Sequence, residues 1–240
     1  MYYRLFAAWL AIAVLLSGCT ASDRLIGSGK KVTLEKDVAG FTRVEIGSAF
    51  TAEITAGDRF STVITIDQNF EKALRVVQEG DTLRIYLDWR SGYSLRSGDA
   101  LQVKITMPEL TGLALSGAST GTVKGFRSGK DVSMNVSGAS KLNGELQARD
   151  VKLTLSGASS AVLSGAGRNG DLNVSGASKA DLEKLTLADI NVEVSGASQA
   201  TVNSAGRLDV RATGASKLFY LGQPTLGSVD TSGASTIQRR

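Results

Sequence analysis

Serine recurs at regular intervals in this 240-residue chain, and a serine hydroxyl can act as a nucleophile. The string SGAS occurs six times and a near copy, TGAS, once, with successive starts 18–21 residues apart. A nucleophilic serine needs a general base beside it, and the chain contains no histidine. Seven equivalent copies without such a base predict a structural corner rather than a catalytic centre. The first two residues of the copies are Ser116, Gly117, Ser137, Gly138, Ser156, Gly157, Ser175, Gly176, Ser195, Gly196, Thr213, Gly214, Ser232 and Gly233.

Aspartate recurs at fixed offsets from the same motif. Asp131, Asp150 and Asp189 lie six residues before a copy, and Asp171 and Asp209 lie four before one. Stacked carboxylates can hold a divalent cation, as in carbohydrate-cleaving enzymes built on parallel β-helices, whereas single aspartates commonly cap turns. We expect these aspartates to cap turns at a third corner of the repeat, with a weak divalent cation between neighbouring copies as the alternative. No cofactor and no metal site is predicted.

The single cysteine, Cys19, lies directly after an apolar run from Leu5 to Leu16. Such a run is shorter than the roughly 20 residues that cross a bilayer, so residues 1–18 are predicted to be a signal peptide. The string LSGC at 16–19 resembles the lipobox of bacterial lipoproteins, which are cut before a cysteine that then receives lipid. The resemblance implies a membrane anchor at Cys19. Thr20 in place of aspartate implies the outer membrane if the cell is Gram-negative; a signal anchor with a chance cysteine is the alternative.

The charge distribution excludes one class of partner. Without Arg4 of the signal peptide, 26 Lys and Arg residues stand against 23 Asp and Glu residues, and no basic block occurs. Nucleic acid is therefore not predicted as a partner. Residues 19–29 are polar without periodicity and are predicted to form a tether.

The segments around each SGAS copy alternate apolar and polar residues, as in VSMNV, VKLTL and INVEV before the motif. This period is typical of a strand with one buried face. A unit of about 19–20 residues cannot bury that face alone, but stacked units form a continuous core. The sequence thus predicts an all-β parallel β-helix over residues 111–240. Its glycines would make the bend, and its fourth-position serines would face inward.

The residue after each SGAS copy offers a test of stacking. Lysine occupies this place in every second repeat, at Lys141, Lys179 and Lys217. Neighbouring strands lie about 4.8 Å apart, where like charges repel, and doubling that gap approaches the Debye length of about 8–10 Å. The alternation is what an in-register stack favours.

Residues 30–110 lack the motif but contain strand-like runs, including LRVVQEGDTLRIYL with a hairpin signal at Glu79, Gly80 and Asp81. The end of a solenoid exposes unpaired strands and core, so a cover is needed. We predict that this segment forms an N-terminal β-rich cap and the first irregular coils.

Four strings together resemble the head GIN domain family, whose members are described as putative autotransporter adhesins: VAGFTRVEIGSAFTAEITAGD, VVQEGDTLRIYL, ITMPELTGLALSGAS and the recurring SGAS. The resemblance covers about 35–238 and implies one domain over 30–238, folded as a right-handed parallel β-helix. It carries over no catalytic residue, and fold alone does not establish adhesion.

The expected function is that of a non-catalytic, exported, lipid-anchored cell-envelope protein. Its polar face would bind a glycan, peptidoglycan or an envelope protein, as an adhesin does. A carbohydrate-active enzyme, of the polysaccharide lyase or hydrolase type, and a purely structural spacer are the alternatives.

Overall fold

The computed structural model describes residues 25–88, 92–95 and 100–240. In these residues the chain forms strands, one short 3-10 turn at Gln68–Phe70 and no α-helix, and its parallel coils stack into a β-solenoid of about seven turns. The predicted fold class is therefore confirmed. The strands are β1 (Leu25–Ile26), β2 (Lys31–Lys36), β3 (Arg43–Ile46), β4 (Thr51–Ala56), β5 (Ser61–Asp67), β6 (Leu74–Glu79), β7 (Thr82–Leu87), β8 (Tyr93–Ser94), β9 (Leu101–Met107), β10 (Gly112–Leu115), β11 (Thr120–Arg127), β12 (Val132–Val136), β13 (Lys141–Gln147), β14 (Asp150–Leu155), β15 (Ser160–Val174), β16 (Lys179–Val194), β17 (Gln199–Ser204), β18 (Arg207–Ala212), β19 (Lys217–Gly222), β20 (Thr225–Thr231) and β21 (Thr236–Arg239).

Each coil consists of a strand, an SGAS corner, a second strand and a return. The strands before the motif pair in parallel, for example β12 with β14 and β14 with the second half of β15. The strands after the motif form a second parallel stack, in which β13 pairs with the first half of β15. In β15 and β16 the strand continues through the return into the next coil.

The core is a column of apolar side chains inside the coils. Leu153, Leu172 and Val192 occupy successive rungs and are all at most 1% exposed. Each such side chain contributes about 1.5–3 kcal/mol of burial free energy. The fourth-position serines also face inward, as predicted, and six of them are buried: Ser119, Ser140, Ser159, Ser178, Ser198 and Ser216.

The lysine alternation is in register. Lys141 pairs with Ser160, which pairs with Lys179, and Lys179 pairs through Gln199 with Lys217. The three lysines therefore occupy every second rung of one outward column, as the sequence predicts.

The coil formed by β3 and β4 lies between two later parts of the chain. On one side it pairs with β10 and β11, and the solenoid continues from there. On the other side β7 pairs with β3 and β9 pairs with β4, both in parallel. Strand β5 pairs with β9 and β6 pairs with β7, both antiparallel. Strand β2 then pairs with the other edge of β5, also antiparallel. These strands form the cap, and the predicted hairpin joins β6 to β7 at Gly80, whose φ is +59°.

Part of the predicted tether packs on this cap. Leu25–Ile26 pair with Tyr93–Ser94, and the backbone N–H of Gly29 donates to Oδ1 of buried Asp67 at 2.6 Å. Residues 25–29 thus join the domain because Asp67 offers an acceptor there. The signal peptide and Cys19 lie outside the described residues, in which no helix is long and apolar enough to cross a membrane.

Candidate functional site

The SGAS corner continues the hydrogen-bond ladder of the strands. The N–H of Ala158 donates to the carbonyl of Gly138 at 2.8 Å, and that of Ala177 donates to the carbonyl of Gly157 at 2.8 Å. Gly157 has a φ of +75°, and a Cβ on it would lie 2.5 Å from the Gly138 oxygen. Glycine is required at this position by both the backbone angle and the close approach of the previous coil.

The corner serines bond to backbone groups. Ser159 Oγ donates to the carbonyl of Ser156 at 2.8 Å, and the N–H of Ser159 donates to Ser178 Oγ at 3.3 Å. On the outer side, Ser175 Oγ donates to the carbonyl of Leu155 at 3.2 Å. Each of these contacts links a hydroxyl to its own turn or to the neighbouring coil. The serine and glycine positions singled out in the sequence therefore lie together along one edge, where they hold the coils in register.

The recurrent aspartates lie along a different edge, where arginines of the following coil pair with them. Arg149 donates to both carboxylate oxygens of Asp131, from Nε at 2.7 Å and from Nη2 at 2.5 Å. Arg168 makes the same two contacts with Asp150 at 3.4 and 3.3 Å. The arginines follow their partners by 18 residues, a spacing close to one coil, and the recurrence of the acids alone does not predict them.

The remaining aspartates of the set also have partners. Asp171 pairs with Lys152 Nζ at 3.1 Å, and Asp189 accepts the backbone N–H of Arg207 at 2.8 Å. Asp209 accepts from Arg207 Nε at 2.7 Å and from the backbone N–H of Ser228 at 2.7 Å. Within the described ranges, no three His, Cys, Asp or Glu residues are grouped so that they could hold a metal ion.

Two of these pairs favour the ionised form of their aspartate. The hydrogen bond from Arg149 holds the pKa of Asp131 below its ordinary value, and the hydrogen bond from Arg207 does the same for Asp209. A carboxyl group that remains ionised is a poor general acid, because it carries no proton to donate near neutral pH. It remains a strong hydrogen-bond acceptor.

A groove of about 820 Å³ opens beside this edge across several successive coils. Four cations and three carboxylates line it together with small polar and apolar residues, and Arg43 makes no ion pair with any described residue. The groove therefore places hydrogen-bond donors and acceptors beside apolar surface, which makes up most of its exposed lining. This combination suits a ligand that has both hydroxyl or amide groups and apolar faces. The lining residues are Arg43, Thr111, Lys130, Asp131, Val132, Ser133, Arg149, Asp150, Val151, Lys152, Asn169, Gly170 and Asp171.

Comparison with known proteins gives a family and a fold. Residues 40–224 match the family model described as "Putative auto-transporter adhesin, head GIN domain". A putative adhesin from Bacteroides fragilis is 18% identical with a TM-score of 0.83, over 90% of this chain and 100% of that one. A putative lipid binding protein from Parabacteroides distasonis is 19% identical with a TM-score of 0.72, over 90% and 99%. At such identity the likeness shows the fold alone, and no curated protein matches the chain.

Proposed function

The chain belongs to the head GIN domain family of putative auto-transporter adhesins, and from that premise we propose that it is an exported, lipid-anchored binding protein of the cell envelope. Its role is non-catalytic and adhesin-like, and its ligand is a glycan, peptidoglycan or an envelope protein. The observation that carries this proposal is the groove beside the Asp–Arg edge, which combines donors and acceptors over several coils.

The groove favours binding over chemistry. Asp131 is held ionised by Arg149, and the chain has no histidine to act as a base. Exposed ion pairs of this kind contribute little to stability, because solvent screens them. Their polar atoms remain open to a ligand, because the side chains of Asp131 and Arg149 are about half exposed.

Glycan-array binding by the purified mature protein tests the proposal, with a lyase and hydrolase assay on every glycan that binds. We expect binding without turnover. Ser133→Trp should weaken binding, because Ser133 lies in the groove and the indole would occupy part of it without breaking an ion pair. Asn135→Trp is the matched control, two residues along the same strand and outside the groove lining. Turnover would favour the enzyme alternative, and the absence of every ligand would favour the structural spacer.

The anchor needs its own experiment. Metabolic labelling with a fatty-acid analogue should label the protein, and Cys19→Ala should abolish the label and release the protein from the membrane fraction. Several acyl chains on one cysteine give stable attachment, whereas one chain alone is marginal. Labelling that persists in the variant would contradict an anchor at Cys19.

A further inference from the structure

One outward column on the strands after the corner consists entirely of polar residues without an acid. Neighbouring strands pair these residues rung by rung from the cap to the last strand. The side chains carry hydroxyl, amide or ammonium groups, so every rung can donate a hydrogen bond. We name this set the lysine column; its residues are Gln102, Thr51, Thr120, Lys141, Ser160, Lys179, Gln199, Lys217 and Thr236.

The positive charge of the column is not neutralised within the described chain. Lys141, Lys179 and Lys217 are exposed, and none of them makes an ion pair with a described residue. The neighbouring outward column contains two acids, of which Glu53 pairs with Lys124 and Asp181 accepts the backbone N–H of Glu183. The column therefore presents three cations available to an external anion.

The spacing of these cations is regular. One rung lies between each lysine and the next, so successive lysines are two strand spacings apart, about 9.6 Å along the solenoid axis. In an extended β-1,4-linked chain, each sugar advances the chain by about the same distance as the gap between neighbouring strands. A linear polysaccharide with an acid on every second sugar thus repeats its charge at nearly the lysine spacing.

The surface on the corner side of the column is flat. Glycine and alanine occupy the second and third corner positions and are exposed, as at Gly157 and Ala158. On this side no side chain longer than a methyl group projects from the two corner positions, so an extended chain can lie along the axis beside them. On the other side the column is flanked by exposed Val162 and by the ring of Phe219, over which Arg240 stacks.

We propose that the lysine column binds a linear acidic polysaccharide that carries one negative charge on every second sugar and lies along the solenoid axis. The SGAS corner separates this surface from the groove, and the proposal does not depend on the groove. Because its three ion pairs are exposed, the binding weakens as salt screens them.

The test uses an octasaccharide of alternating uronate and N-acetylhexosamine, measured by calorimetry or interferometry on the full mature chain. We expect binding that weakens with added salt and is lost for the carboxyl-reduced, neutral octasaccharide. The triple variant Lys141→Gln, Lys179→Gln, Lys217→Gln should weaken binding about tenfold, as three exposed ion pairs imply. An oligouronate with an acid on every sugar should bind no more than about twofold more tightly, since only alternate charges meet a lysine.

A control variant changes the same charge elsewhere. Lys31, Lys72 and Lys184 are exposed, make no ion pair with a described residue and lie off the column. Their triple change to glutamine should alter the affinity less than twofold, and Ser133→Trp in the groove should leave it unchanged. The proposal would be overturned if the two triple variants lost affinity equally. It would also be overturned if affinity rose in proportion to ligand charge, or if the unaltered protein did not bind the octasaccharide.

Discussion

Arg149 donates two hydrogen bonds to Asp131 of the preceding coil, from Nε at 2.7 Å and from Nη2 at 2.5 Å. The two residues are 18 positions apart, so the contact exists only when the coils stack. Both side chains are about half exposed. The pair therefore reports on coil stacking and also lies in the groove wall.

The first prediction concerns the pH dependence of this pair. The hydrogen bond from Arg149 lowers the pKa of Asp131 in the folded state. A lowered folded-state pKa gives a contribution that is complete above the ordinary aspartate pKa, about 3.9, and lost as pH falls through the folded value. Asp131→Asn should therefore lower the free energy of unfolding at pH 7, by a small amount because the site is exposed, and should have no effect at a pH below both values.

Denaturant unfolding at the two pH values measures this difference. Asp58→Asn is the control, because Asp58 is exposed and makes no ion pair with a described residue. A difference between Asp131→Asn and the unaltered protein that grew towards low pH would contradict the sign of the shift.

The stacked coils are predictable from sequence because their contacts repeat. Every SGAS copy places glycine at the bend, the fourth-position serine is buried in every copy except the last, and the flanking alternation assigns each side chain to a face. Leu153 and Leu172 illustrate this, since the same pattern position becomes the same core column. Local periodicity is sufficient here because each coil contacts mainly the next one.

The cap is less predictable because its pairings join segments distant in sequence. Val44 pairs with Leu83 on one side and with Leu113 on the other. The first corner reads GSAF, and there Ser48 adopts a positive φ of 60° at the position where SGAS has glycine. The groove likewise depends on arginines whose partners lie a coil away. Neither feature leaves a local pattern.

The second prediction concerns the corner glycine. Gly157→Ala places a Cβ at 2.5 Å from the Gly138 oxygen and also imposes an unfavourable φ of +75°. Both the strain and the displaced backbone destabilise the fold, and we expect a loss of roughly 2–4 kcal/mol in the free energy of unfolding.

Gly80→Ala is the matched control for Gly157→Ala. Gly80 has a similar φ of +59°, but a Cβ there has no atom within 4 Å. Gly80→Ala should lower the free energy of unfolding by only about 1 kcal/mol, because it introduces the unfavourable backbone angle without a close contact. Equal losses for the two variants would mean that close stacking at the corner contributes nothing.

The third prediction concerns buried Asp67, which holds the N-terminal residues and the cap together. Its Oδ2 accepts the N–H of buried Ala100 at 2.8 Å, and its Oδ1 accepts the N–H of Gly29 at 2.6 Å. Asp67→Ala leaves the Ala100 donor unpaired, which costs about 1–3 kcal/mol. Denaturant unfolding should show this loss, and limited proteolysis should become faster near Gly29. Asp58→Ala, at an exposed site, should change stability by no more than about 0.5 kcal/mol.

The fourth prediction tests the register of the solenoid in solution. Lys141 and Lys179 each pair with Ser160, and Lys179 and Lys217 each pair with Gln199, so each lysine pair is about 9.6 Å apart along the axis. A short bifunctional amine reagent should link Lys141 to Lys179 and Lys179 to Lys217, as peptide mass spectrometry would detect. Lys141 and Lys217 are four rungs apart, about 19 Å, and should not be linked. A shift of one strand by a single residue would turn its lysine towards the core, so failure of both expected links would contradict the register on which the lysine column depends.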